Sequence, residues 1–142
     1  MVVRMVVYVK LRVRSKVGKV KELVVLVNGG SHSPRPVLVV DESTARELGY
    51  VSGDAWEAAV ADARRIVYVV ENALTLELLG DGDEILSRVD ADLVIHPGLE
   101  EPLITDATID ALGIRVESFF KGLWRHVSDP PGRVRMSAKV GE

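Results

Sequence analysis

The chain has 142 residues, 47% of them apolar and 27% charged, with a formal net charge of -3 and no cysteine. That length suits one domain with its own core, and the charge balance excludes a whole-molecule basic footprint for nucleic acid. The missing cysteines exclude disulfides, thiolate nucleophiles and Cys-ligated zinc.

Met1 to Val27 reads as β structure. Val7, Val9, Leu11 and Val13 alternate with Tyr8, Lys10, Arg12 and Arg14, so one face is apolar and the other polar and basic. Ser15 to Lys19 holds a turn, and Val20 to Val27 is a second strand whose nearly continuous apolar end predicts burial on both faces. The basic face offers Lys10, Arg12, Arg14, Lys16, Lys19 and Lys21 to phosphate, but no aromatic residues are interleaved to stack on bases, so a nucleic-acid-binding module is the lesser reading. Arg4 and Lys10 interrupt short Val runs. No signal peptide is read there, and no apolar run reaches the length of a membrane span. A cytoplasmic location without membrane contact is the expectation.

Pro34 and Pro36 break the chain before a short buried strand, Val37 to Val40. Asp41 to Gly49 reads as a short helix, with acids at its start and glycine at its close. Ala55 to Ala63 is compatible with a helix or with one arm of a hairpin whose tip is Asp62 to Arg65. Ile66 to Val70, Ala73 to Leu79 and Ala91 to Ile95 read as strands, while Ile85 to Asp90 is ambiguous. Gly80 to Glu84 is a turn that lacks the ligand spacing of a calcium loop. Thr105 and Gly113 bracket a second short helix as its N-cap and C-terminal glycine. Ile114 to Glu117 and Leu123 to Val127 are strands. From Ser128 the chain turns polar, with Val134 and Met136 placed to form an edge strand. Residues 1–127 are thus assigned to one domain and 128–142 to a C-terminal tail.

One stretch carries more than a fold signal. Val24-Val25-Leu26-Val27-Asn28-Gly29-Gly30-Ser31 runs an apolar strand into a tight turn. It is followed by Val37-Leu38-Val39-Val40 and then Thr44-Ala45-Arg46-Glu47-Leu48-Gly49. Later come Glu101-Pro102-Leu103-Ile104-Thr105 and Ile109-Asp110-Ala111-Leu112-Gly113-Ile114-Arg115-Val116. The first stretch resembles the apolar-apolar-Asp-Thr-Gly-Ala/Ser signature of the retropepsin-like aspartic proteases. The last resembles that family's Pro-Leu-Leu-Gly and Leu-Glu-Ala-Leu-Gly-Leu-x-Val. The recurrence of strand, short helix, Leu-Gly and strand matches the family's internal pseudo-symmetry. The resemblance covers roughly residues 1–127. It implies a mostly β protein, a retropepsin-like acid-protease barrel with one or two short helices, acting as a homodimer.

The departures fall on the chemistry. Asn28 stands where the family has its catalytic Asp, Gly29 replaces Thr, and Thr105 replaces the glycine of the second turn; Gly30 matches. In the family two carboxylates share a proton and activate water. A carboxamide hydrogen-bonds but has no basic oxygen to take that proton, so the resemblance implies a degenerate site at Asn28, Gly30 and Ser31 without peptidase activity. It also implies a peptide-binding groove beneath Asp62, Ala63, Arg64 and Arg65, in which an extended peptide adds as a strand. The competing enzyme reading is an active endopeptidase with another acid, for which Asp41 is the best substitute. His32, His96 and His126 show no ligand spacing, so no metal or other cofactor is expected. Asn-Gly is also the pair most prone to lose its side-chain amide, a reaction that a rigid turn resists.

Overall fold

The computed structural model of the protein describes residues 6–51 and 66–139 together with the backbone of 56–59. Among the described residues ten strands and two short helices make it mostly β. The two N-terminal strands, β1 (Tyr8–Ser15) and β2 (Val20–Val27), form an antiparallel hairpin in which Tyr8 lies opposite Leu26 and Arg14 opposite Val20. The apolar face is realised: Val7, just before β1, and Val9, Leu11 and Val13 within it are all buried, while on the other face Tyr8 is buried too and Lys10, Arg12 and Arg14 are not. Burial of β2 on both faces is not observed. Val25 and Val27 point inward, whereas Val24 and Leu26 are half-buried. Their cross-strand neighbours on that face are Lys10 and Tyr8, long polar-tipped side chains that cover them only in part.

The remaining strands are β3 (Val37–Val40), β4 (Trp56–Ala59), β5 (Ile66–Leu79), β6 (Ile85–Ile95), β7 (Leu103–Ile104), β8 (Ile114–Ser118), β9 (Leu123–His126) and β10 (Arg135–Met136). The larger sheet runs β1-β2-β7-β3-β6-β5-β4, and β1 also pairs with β5. The pairings therefore run round a closed circuit of six strands, leaving β4 outside it. Most neighbours are antiparallel, but β2 pairs with β7 and β3 with β6 in parallel. Strand β7 thus lies between two strands that are neighbours in sequence. The interior is filled by aliphatic residues from every strand of the circuit, among them Leu11, Leu38, Leu76, Leu93 and Ile104, all fully buried.

Residues 56–59 are strand, which settles that part of the helix-or-hairpin choice; the tip at Asp62 to Arg65 lies outside the described residues. Two expected strands merge into β5, bent where Asn72 takes a φ of 50° and the register shifts between Val70 and Leu74. Similarly, the ambiguous segment from Ile85 continues as β6 into the buried run that ends at Ile95.

Helix α1 (Glu42–Glu47) follows β3, and helix α2 (Asp106–Ala111) follows β7. Each closes on a fully buried leucine, Leu48 or Leu112, and then a glycine with left-handed backbone, φ 91° at Gly49 and 75° at Gly113. The C-terminal segment is laced onto the rest. β8, β9 and β10 form a three-stranded sheet, Ala138 N–H donates to Tyr8 O, and Tyr8 N–H donates to Ser137 Oγ. The strand here is Arg135–Met136 rather than one built on Val134, because Arg135 turns inward to meet the buried Asp129 at 2.8 Å. No helix among the described residues is long and apolar enough to cross a membrane.

Candidate functional site

Strand β3 and the end of β6 from Leu93 to Ile95 are apolar on both faces, and the second face has a use. Leu38, Val40, Leu93 and Ile95 enter the core, while Val37, Val39 and Val94 look the other way. With Val67 and Val69 from β5 and Leu103 from β7 they floor a cleft of about 730 Å³. The loop from Asn28 to Arg35 forms one wall, and His96 and Leu99 stand at another side. An apolar floor with a few convergent polar groups is the usual build of a ligand site.

Asn28 follows β2 at this wall. Its position is fixed from β7: Leu26 pairs with Leu103, Val27 with Ile104, and Asn28 N–H donates to Ile104 O at 3.1 Å. The turn beyond it is tied to the start of α2. Gly30, with a φ of 89°, donates its N–H to Asp106 Oδ1 at 2.8 Å, and Asp106 N–H donates to Ser31 O at 2.9 Å. Ser33 and Thr105 share a hydroxyl hydrogen bond of 2.6 Å. Thr105 occupies the expected N-cap position, yet its side chain makes no capping bond to the helix. The hydroxyl is spent on the loop instead. Asn28, Gly30 and Ser31, near neighbours in the chain, are thus held by partners more than 70 residues away.

A second polar group lies across the cleft. Asp92 is buried within β6, where it accepts from Asn72 N–H at 2.7 Å and pairs with Arg35 Nη2. A lone acid inside the run Ala91 to Ile95 was the available signal for it, since a buried carboxylate needs a partner. Nothing local marked Asp106: an acid in the first turn of a helix reads as a favourable dipole contact, and its bond to Gly30 is a long-range product of the fold. Phe119 was also missed. It follows β8, is exposed, and lies against Gly29, where an added Cβ would meet Phe119 Cζ at 3.6 Å.

The other candidates are dispersed. Asp41 caps α1, accepting from Thr44 N–H at 2.9 Å; hydrogen bonds from the Thr44 side chain and backbone hold its carboxyl below the usual range, and it does not line the cleft. His32 and His96 both border the cleft, and His32 Nδ1 stands 3.8 Å from Asp106 Oδ2. His126 belongs to the C-terminal sheet. Leu112 O can only accept, so His126 Nε2 carries the proton in that 3.0 Å bond, leaving Nδ1 to accept from Ser128. Among the described residues no group of three or more His, Asp or Glu is placed to hold a metal ion.

The basic face of β1 is answered by acids. Lys10 lies 3.1 Å from Glu22 and 3.3 Å from Asp83, Arg12 lies 3.2 Å from Glu22, and Lys16 lies 3.4 Å from Asp90. Arg14 and Arg88 clamp Glu77 at 3.0 Å and 2.7 Å. Burial pushes the Glu77 carboxyl up, and the hydrogen bonds from Arg88 and Arg14 outweigh it, holding the group ionised. A face paired in this way offers little net charge to phosphate.

No family model matches the chain, and a search of curated proteins finds no match.

Proposed function

We propose that the protein is a disarmed relative of the retropepsin-like aspartic proteases, which binds an extended peptide in the Asn28 cleft and does not cleave it. One observation carries the reading. The two segments that resemble the family, separated by about seventy residues of chain, lie side by side in β2 and β7 and jointly set Asn28 at the wall of an apolar cleft. The matching ends of α1 and α2, each a buried leucine and a left-handed glycine, support the internal pseudo-symmetry.

In this reading the valines on the outer faces of β3, β5 and β6 take apolar side chains of the peptide, and its backbone finds partners along the strands and the loop. The polar groups at the rim, Arg35 paired with Asp92 and the Ser33–Thr105 hydroxyls, fix orientation. The Asn28 carboxamide donates or accepts a hydrogen bond but has no lone pair basic enough to activate water. Binding survives the loss of hydrolysis because the two rest on different interactions. A second copy completes the site, as the family's arrangement takes one such residue from each subunit.

A binding titration tests this. Fluorescent peptides rich in aliphatic residues bind wild type and lose at least roughly tenfold in affinity on Val39→Asp or Val94→Asp, each of which buries a charge in the floor. Sedimentation gives a dimer. Equal affinity across these variants, or a strict monomer that binds no peptide, contradicts the proposal.

A further inference from the structure

We propose that Asn28 is a deamidation site in the folded protein, converting to aspartate and isoaspartate at position 28. The reaction begins when the Gly29 backbone nitrogen, giving up its proton, attacks the Asn28 side-chain carbon. A C–N bond forms, the side-chain nitrogen leaves as ammonia, and a five-membered imide remains. Water then adds at either imide carbonyl and breaks one C–N bond, so the sum is amide plus water giving acid plus ammonia.

The turn meets the requirements of the attacking group. Asn28 N–H donates to Ile104 O, Gly30 N–H to Asp106 Oδ1, and Ser31 N–H to Asn28 O at 3.3 Å. Gly29 N–H alone in this run has no acceptor among the described residues, and the Asn28 carboxamide has no hydrogen-bond partner there either. The nitrogen that must attack and the group it must reach are both free, while the residues on either side are held. Gly29 is exposed and brings no Cβ to crowd the approach. Asn28 borders the open cleft, so water reaches the imide. The product places a carboxylate at the cleft wall. This inference stands on the turn itself and does not depend on the peptide-binding reading.

The chain supplies its own control. It has two asparagines and no glutamine. The other, Asn72, is followed by alanine, whose Cβ crowds the attacking nitrogen. The test is to incubate the full-length folded protein at mildly alkaline pH and follow both sites by peptide-mapping mass spectrometry, with isoaspartate detected by methyltransferase labelling. Asn28 is expected to convert while Asn72 stays intact. Gly29→Ala is expected to slow conversion at least roughly tenfold, because a Cβ crowds the attacking nitrogen. That variant is sterically accepted: the new Cβ makes ordinary contact with Phe119, and Gly29 is not in the left-handed region. Two results overturn the inference. One is Asn28 staying intact in the folded chain over a period in which a urea-unfolded sample converts. The other is equal rates in wild type and Gly29→Ala.

Discussion

The two strand-helix units, β3 with α1 and β7 with α2, share an order of elements, a strand and a six-residue helix, and differ in how their ends are used. Both close on a buried leucine and a left-handed glycine. At its start α1 is capped in the ordinary way, Asp41 accepting the Thr44 N–H. At its start α2 gives that bond up: Thr105 reaches Ser33 and Asp106 reaches Gly30, so the polar groups that begin the helix hold the cleft loop. Further along, the buried Thr108 clamps β3, its hydroxyl accepting from Val37 N–H at 2.8 Å and donating to Val37 O at 2.7 Å. The first unit spends its side chains on its own stability, and the second spends them on the site. The units differ at their far ends too. Gly113 is gripped by the C-terminal sheet, with Val127 N–H donating to Gly113 O, whereas Gly49 meets the exposed Val17 of the β1–β2 turn.

The largest expected effect lies behind the second unit. Asp129 accepts from Arg135 Nε and Nη2 and from His126 N–H, and both charged residues are buried. Asp129→Ala leaves Arg135 buried and unpaired, and is expected to cost about 3–5 kcal/mol, read by urea unfolding. The Arg135 hydrogen bonds hold the Asp129 carboxyl far below its usual range, against the opposing effect of burial. The folded state therefore binds that proton less readily than the unfolded chain does. Its contribution is complete above about pH 4 and is lost as pH falls toward the folded value. Wild type is expected to lose stability more steeply on acidification than Asp129→Ala does; parallel acid slopes contradict this.

Gly113→Ala and Gly49→Ala separate the two leucine-glycine ends. A Cβ at Gly113 would stand 2.7 Å from Cγ2 of the exposed Val127, which can move, but also 3.0 Å from the ring of the buried His126, which Leu112 O holds in place. At Gly49 the 2.6 Å contact is with Val17 Cγ2, which is exposed and free to move. Strain from positive φ is common to both. Gly113→Ala is expected to cost about 2–3 kcal/mol and Gly49→Ala about 1 kcal/mol; equal costs would mean that the C-terminal sheet does not brace the second unit.

The smallest effects concern the caps. Asp41→Ala is expected to cost about 1 kcal/mol of stability and leave peptide affinity unchanged. Thr105→Val has the opposite profile, with little change in stability and weaker peptide binding, because it frees the Ser33 loop. Thermal melts and the binding titration together decide whether the two starts are specialised as described.

The parts that could be read from sequence are those set by local periodicity and turn chemistry. Val7 to Val13 declared its inward face by alternation, and Gly49 and Gly113 marked two helix ends. Apolar runs were harder. The run in β3 feeds core and cleft at once, whereas the run in β2 leaves Val24 and Leu26 half-covered, a distinction that depends on which neighbours arrive from elsewhere in the chain. The same limit applied to the site. Asn28 was visible because it interrupts a motif-like strand, but its supports at Ile104, Thr105 and Asp106 are long-range hydrogen bonds. Thr105 in particular looks like an ordinary cap until Ser33 is beside it.

The most direct test of the account is a cleavage assay on a mixed peptide library from acid to neutral pH, comparing fresh, mass-verified wild type with Asn28→Asp, after sedimentation has confirmed the same oligomer in both. The account predicts cleavage by Asn28→Asp alone, since the substitution places a proton acceptor at the cleft wall. Cleavage by wild type whose Asn28 is unmodified would mean that another residue supplies the base, and would contradict it.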